Sequence, residues 1–386
     1  MRILFVHQDH CLYGASQSLL GLIDHLACSG HAAFVLLPRT GPLVDALEQR
    51  RVQYAIVPWR GWMSSEDFPR FRMVLSAGKG FMLNLRYVMH AEKAVAGFRP
   101  NLVHTNCSRT PFGSMLALWL GVPHTWHFRE FLGGPFSGGT EFSLGRAISL
   151  AWIRRASRAV VMVSAALMKE FSGHLGSFPT YVVHDGVMPL ERMRRTVAIP
   201  LPRGGLPTFS IIGRFDAGKQ PLVALEAVKL LRDEGVQVRL LMAGWGLPED
   251  VRDVTRYIAE NRLHRQVETP GFVSDVADVF ARSHAMLMCS KCDAFGRVTA
   301  EAMAHARPVI GAEAGATTEL IVHGGNGLLF RTGDAVDLAA RMREIIETPG
   351  LLETLSRNAV ETALRDYTDE HCGQELERIF LKALKQ

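Results

Sequence analysis

The sequence predicts an α/β protein made of two doubly wound parallel-sheet domains in tandem. Three observations predict it. The chain has 386 residues, beyond the ~250 to 300 at which a single hydrophobic core stops growing. Its 48% hydrophobic and 21% charged residues are an ordinary globular composition, which excludes disordered and collagen-like chains. Short apolar runs of strand length alternate with longer helical patterns along the chain, the signature of repeated βαβ units.

Taken in order, the predicted elements begin with a buried strand from Ile3 to His7 and a helix from Ser16 to Ser29. A strand from Ala33 to Leu37, a helix from Leu43 to Arg51 and a strand from Val52 to Val57 follow. Further strands are expected at Leu102 to Thr105, His124 to His127, Ala159 to Ser164 and Thr180 to His184. Residues 59–99 have a different texture, with aromatics such as Trp59, Phe71 and Phe81 interleaved with Arg60, Arg72, Lys79 and Arg86. Amphipathic helices are expected there. Such helices either cover a sheet or lie in an anionic membrane interface.

Between Met188 and Thr208 the periodicity fails and Pro, Gly and Arg gather, which reads as an interdomain linker. The second domain then supplies strands at Phe209 to Gly213, Gln237 to Gly244, Val267 to Pro270, Ala285 to Ser290, Pro308 to Gly311 and Gly327 to Phe330. The expected organisation is a first Rossmann-like domain over 1–190, a linker over 191–207, a second over 208–368, and a helix over 369–386. That last segment carries Leu376, Ile379, Phe380 and Leu384 at helical spacing and needs a surface to cover, expected on the first domain. A cleft between two such domains is the expected seat of chemistry.

Charge is unevenly spread. Residues 1–200 hold 21 Lys/Arg against 12 Asp/Glu, and residues 201–386 hold 22 against 26. The basic first half is therefore the half expected to meet an anionic partner. Nucleic acid is not expected as a partner, because there is no zinc finger, no RRM signature and no long basic run. Six cysteines in so long a chain do not make a disulfide scaffold. The first residues do not resemble a signal peptide, and the longest apolar stretches fall short of the ~18 residues of a membrane span. A cytoplasmic protein is expected, with any membrane contact peripheral.

Chemistry is concentrated in two segments of the second domain. In FSIIGRFDAGKQP a buried strand delivers Arg214, and Lys219 follows five residues later. Two cations at the carboxyl end of a strand, where α/β sheets bind ligands, suit a diphosphate and can stabilise charge growing on a leaving group. In MLMCSKCDAFGRVTAEAMAHARPVI a strand is followed by Asp293, by Phe295 and Gly296, and by a helix carrying Glu301. A helix starting near Gly296 offers free N–H groups to an anion, and the flanking acids can accept hydrogen bonds from sugar or ribose hydroxyls.

These motifs, together with RPVIGAEAGATTELIVHGGNGLLF and the first-domain HTWHFRE, resemble the retaining glycosyltransferase family 4, whose fold is called GT-B. The resemblance covers most of the chain. It implies two Rossmann-like domains facing each other across a cleft, a nucleotide diphosphate sugar as donor, and Arg214 and Lys219 as the pair that grips the diphosphate. It implies Glu301 as the acid on the ribose hydroxyls, and backbone amides around Phe295, Gly296 and Arg297 facing the sugar and distal phosphate. Asp293 stands where the family generally has Glu reaching a sugar hydroxyl, which leaves the identity of the sugar open. Gly14 falls in a loop where similar proteins carry paired glycines, one of which is here Tyr13. His127 matches a histidine that contacts the donor sugar near the reacting carbon, and Arg129 and Glu130 would join it on one cleft-facing loop on the acceptor side. The segments GFVSD, with Phe272 and Val273, and AGWGLPED, with Gly244, resemble those that hold the base and phosphates. His7, His104 and His184 end strands and are candidates for support.

No Asp-x-Asp pair is present to hold a divalent cation, so neither metal nor cofactor is expected, and the cations and helix amides must supply the electrostatics. Cys289 and Cys292 have CxxC spacing but lack the ligands of a zinc site. The implied reaction is transfer of a sugar, with retention, to an acceptor hydroxyl, catalysed by His127, Arg214, Lys219 and Asp293. The basic first domain suggests a lipid-linked or polysaccharide-precursor acceptor, with a soluble saccharide as rival. An epimerase or phosphorylase on the same fold, or a non-catalytic nucleotide-binding chain, is the alternative.

Overall fold

A computed structural model describes residues 1–65, 68–132, 140–196, 201–202, 204–273 and 275–385. The chain forms two units, residues 1–187 together with the C-terminal segment from Asp369, and residues 188–368.

In the first unit the elements are β1 (Arg2–Val6), α1 (Gly14–Cys28), β2 (Ala32–Leu37), α2 (Pro42–Gln49), β3 (Gln53–Ile56), β4 (Met63–Ser65), α3 (Arg70–Val95), β5 (Leu102–Thr105), α4 (Phe112–Leu120), β6 (His124–Phe128), β7 (Thr140–Phe142), α5 (Arg146–Ala156), β8 (Ala159–Met162), α6 (Ala165–Leu175) and β9 (Thr180–Val182). Among the described residues seven strands form a parallel sheet in the order β3-β2-β1-β5-β6-β8-β9. Alternation across the pleat divides the core into two faces. Ile3 and Phe5 join Leu19, Leu22 and Leu47 on one face, whereas Leu4 and Val6 join Val88, Val95 and Met115 on the other. Burial on both faces explains why these strands read as continuous apolar runs.

Two parts of this unit differ from the sequence reading. Residues 59–99 hold the short strand β4, paired antiparallel with β7, and one helix of 26 residues, α3. Neither Gly nor Ser inside α3 breaks it, because Met73, Ala77, Gly80, Asn84 and Val88 form one buried stripe that tertiary packing holds in helical register. The second difference is Gly14. It is the first residue of α1, in helical conformation, so the backbone there does not use glycine's wider freedom.

The second unit contains α7 (Leu190–Thr196), β10 (Thr208–Arg214), α8 (Pro221–Asp233), β11 (Arg239–Trp245), α9 (Pro248–Glu260), β12 (Val267–Gly271), α10 (Ala277–Ala281), β13 (Ala285–Met288), α11 (Arg297–Ala304), β14 (Val309–Ala312), α12 (Thr317–Leu320), β15 (Gly327–Phe330), α13 (Ala335–Glu347) and α14 (Leu351–Asp366). Its parallel sheet runs β12-β11-β10-β13-β14-β15. Phe209, Leu240, Leu287, Ile310 and Leu328 pack under α8, α13 and α14.

The expected linker begins too early. Leu190 to Thr196 is helical and belongs to the second unit, with Met193 fully buried. The segment LERMRRT contains neither Pro nor Gly, so its arginines, read as loop character, are the exposed side of a helix. The rest of the linker reading falls on residues 201–207 and partly on positions outside the described residues.

The last helix, α15 (Asp369–Lys385), belongs to the first unit. Leu376, Ile379 and Phe380 enter the α1 face of its core. Glu377 fixes the helix to both ends of the α1 to β2 turn, accepting from His31 Nε2 at 2.8 Å and lying 3.4 Å from His25 Nε2.

Candidate functional site

In the second unit the strand order reverses between β10 and β13, and ligands of doubly wound sheets bind outside the carboxyl ends at such a switch point. Both expected segments arrive there. β10 ends at Arg214 and α11 follows β13, its N-cap being Gly296. Gly296 has φ of 80°, a left-handed conformation that glycine adopts without steric cost. The first turn of α11 thereby begins at Arg297, with Glu301 one turn on.

Lys219 and Asp293 meet across the switch point. The Lys219 ammonium donates to both carboxylate oxygens of Asp293, at 2.7 and 2.8 Å. Asp216 organises the loop before them. Its Oδ1 accepts from the backbone N–H of Gly218 at 3.0 Å and of Lys219 at 2.9 Å, while its Oδ2 lies 2.9 Å from Arg214. The Arg214 side chain is 60% exposed, leaving further guanidinium donors open to solvent. Lys219 also keeps a third ammonium proton beyond the two bonds to Asp293.

Arg297 and Glu301 pair at 2.9 Å across one turn of α11. Burial pushes the Glu301 carboxyl above its ordinary range, opposed by the charges of Arg297 and of Arg192 on α7. Phe295 turns inward, its ring edge-on to Tyr367, so at this position only backbone is available to a ligand. Gly244 serves strand packing: a Cβ there would lie 1.8 Å from the Gly213 carbonyl oxygen. Phe272, just past β12, is two-thirds exposed at 66%, and Val273 packs on Leu241, Ala243 and Val279. Cys289 is buried in the core, its thiol pushed up to about 12 by burial.

In the first unit the switch point lies between β1 and β5. A buried polar network occupies it. The Arg129 guanidinium donates to Asp185, and through Nε to Asn106 Oδ1 at 3.0 Å. Asn106 in turn lies 3.1 Å from His7 Nδ1, whose Nε2 is 2.9 Å from Ser16 Oγ on α1. Arg129 and Asp185 side chains are only 6% and 8% exposed. Glu130 accepts from Ser108 Oγ at 2.7 Å, and burial raises its carboxyl.

His127 stands at the end of a strand, as expected, and not on a loop with Arg129 and Glu130. It lies in β6, fully buried, with its ring 5.7 Å from that of His104 and its Nδ1 3.3 Å from Arg129. Alternation decides this: Trp126 and Phe128 point to the opposite face, where Trp126 stacks on Trp62 at 5.5 Å. Burial, then the Arg129 charge, holds the His127 imidazole neutral, well below its ordinary range. Its Nε2 meets no hydrogen-bond partner among the described residues. Tyr13, by contrast, is exposed as the N-cap residue of α1. Thus the structure brings Arg129 to His127, while Arg129 is also tied to Asp185, and Glu130 is tied to Ser108.

The sequence reading missed Asp216, Asn106 and Asp185. Each follows a strand directly or within three residues, the same signal that singled out Arg214. Among the described residues no group of three His, Cys, Asp or Glu side chains is placed to hold a metal ion.

Known proteins resemble this chain in both units. A family model described as Glycosyltransferase Family 4 matches residues 13–189, and one described as Glycosyl transferases group 1 matches residues 206–348. A glycogen synthase of Mycobacterium tuberculosis is 24% identical, over 99% of this chain and 95% of the relative. A D-inositol 3-phosphate glycosyltransferase of Streptomyces bingchenggensis is 29% identical over 59% of this chain and 54% of its own length. Among solved structures, Anabaena HepE in complex with UDP-glucose aligns with a TM-score of 0.77 at 21% identity, covering 99% of this chain and 100% of that one. A glycosyltransferase from Rickettsia africae aligns at 0.78 with 18% identity, covering 100% and 99%.

Proposed function

This chain belongs to glycosyltransferase family 4 and has the GT-B fold of two Rossmann-like domains, and from that premise we propose that it transfers a sugar from a nucleoside diphosphate donor to an acceptor hydroxyl with retention of configuration. One observation carries the reading of the donor side: Arg214, Lys219 and the start of α11 lie together at the switch point of the second sheet. The diphosphate is the leaving group. It gains negative charge as the glycosidic bond breaks, and preorganised cations and amides stabilise that charge more than they stabilise the ground state.

Lys219 reaches this point already oriented. Asp293 holds the ammonium by two bonds, so little side-chain freedom remains to be lost when phosphate oxygens arrive. Asp216 does the same for Arg214 and for the loop amides. Glu301 takes the ribose hydroxyls, and Phe272 and Val273 border the base. The nucleotide is UDP in this reading, supported by the UDP and UDP-glucose bound by Anabaena HepE. The acceptor is a saccharide precursor, carried on lipid. The fixed cations supply the charge neutralisation, so activity is expected to be unchanged by EDTA.

Thermal unfolding without metal against UDP, GDP, ADP and TDP tests the donor site. A ligand at about 100 times its dissociation constant adds ~2.7 kcal/mol, and UDP alone is expected to give that stabilisation. No shift with any nucleotide would sink the reading. Lys219→Ala is expected to lose at least ~100-fold in kcat/KM with the fold intact, and product analysis with and without acceptor separates transfer from epimerisation or phosphorolysis.

A further inference from the structure

Among the described residues, helix α3 is covered by its own domain on one side only. Its inward stripe, from Met73 through Asn84 to Val95, is buried. On the opposite side Phe71, Val74, Leu75, Met82, Leu85 and Met89 are all exposed, Phe71 by 64% and Met82 by 66%. At ~100° per residue these six fall on one outward face about 100° wide. The helix therefore has two apolar faces, and only one of them has a core to enter.

A row of cations borders the outer face. Arg72, Lys79, Arg86 and Lys93 recur every seventh residue, which sets them in a line along one flank. No Asp or Glu occurs from Phe68 to Ala91. Glu92 accepts from Trp119 Nε1 on α4 at 2.8 Å, and Trp119 and Leu118 are themselves exposed beside this helix.

We propose that the outer face of α3 lies in the interface of an anionic lipid bilayer, its apolar side chains among the acyl chains and its four aligned cations at the headgroups. Long cationic side chains can keep their stems on apolar surface while their charges reach phosphate. The charge pattern selects this occupant. A second copy of the chain docked through the same face would set two cation rows side by side with Glu92, already held by Trp119, as the acid of that face among the described residues, whereas an anionic surface answers all four cations. Among the described residues no helix is long and apolar enough to cross a membrane, so this contact lies along the surface. An acceptor carried on lipid would be met at that surface, but the proposal does not depend on catalysis.

The test is flotation of the full chain with vesicles of phosphatidylcholine alone or with about one-third phosphatidylglycerol, at ~0.15 M salt. Binding is expected only to the anionic vesicles. Replacing Arg72, Lys79, Arg86 and Lys93 together by Gln is expected to lower partitioning by ~100-fold or more. Phe71→Ser combined with Met82→Gln is expected to abolish it even at low salt. Circular dichroism and the UDP-dependent thermal shift report that each variant is folded. Failure of the unaltered chain to float with anionic vesicles, or equal flotation of the four-Gln variant, would overturn the proposal. So would a solution dimer that the Phe71→Ser, Met82→Gln variant dissolves. Flotation without any nucleotide response would instead leave this proposal standing and remove the donor reading.

Discussion

Asp216 and Asp185 are both aspartates paired with an arginine near a strand end, yet they differ in what their loss would do. Asp216 sits on a half-open loop where it ties Arg214 and two loop amides. Asp216→Ala is expected to leave the fold intact and raise the KM for donor about tenfold, read by steady-state kinetics beside a melting curve. Asp185 is the buried partner of Arg129. Asp185→Asn would leave a guanidinium in the core with its charge unanswered, at a cost of ~3 kcal/mol or more, measured by urea unfolding. The role of Asp185 could not be read from sequence spacing, since it and Arg129 lie 56 residues apart in the chain, whereas Asp216 stands two residues from Arg214. Lys219, Asp293 and Glu301 were legible because their motifs lie close to the strands that carry them.

At the level of elements, close strand packing and helix docking set what can be changed. Gly244 on β11 faces Gly213 on β10 so closely that an added Cβ would overlap a carbonyl oxygen fixed in the sheet. Gly244→Ala is expected to destabilise the second unit by ~2 kcal/mol or more, with differential scanning calorimetry as the check. Helix α15 is the other case. Its stripe of Cys372, Leu376, Ile379, Phe380 and Ala383 fills the face of a core whose contributors outside this helix come from the first 190 residues. The apolar spacing announced a helix with a surface to cover, but α3 shows where such spacing stops being informative. Its outer apolar residues blur the amphipathic signal, and only the packed structure tells the buried stripe from the exposed one.

Over the whole molecule, the two units should respond differently to acid. His7, His104, His124 and His127 are all fully buried in the first unit and burial lowers each, His7 and His124 to about 3, whereas in the second unit burial lowers His284 and His305, which are less completely enclosed. In the unfolded chain each titrates near ~6.5. Below that pH the unfolded state binds protons that the folded state refuses, His7 and His124 until about 3, so stability is full above ~6.5 and falls as pH drops, by up to ~1.4 kcal/mol per pH unit for each of these two. Glu130, raised by burial, acts in the opposite sense as a single group. Hydrogen exchange at pH 7 and pH 5 is expected to show protection in β1, β5 and β6 declining more than in β10 and β11. Equal decline in both units would contradict it.

The sequence by itself determined the class of fold, the strands of the two parallel sheets and their order along the chain, and the two segments that meet at the switch point of the second sheet. Those features are local: periods of apolar residues, turn chemistry, and motifs within a few positions of one strand. Tertiary structure alone decided what meets what. It set β10 beside β13, so that Lys219 closes on Asp293. It turned His127 into the core by strand alternation and put Arg129 over Asp185. It also left the outer face of α3 exposed among the described residues. Pairing across tens of residues depends on which strands become neighbours and which face each side chain takes, and no short window of sequence contains that information.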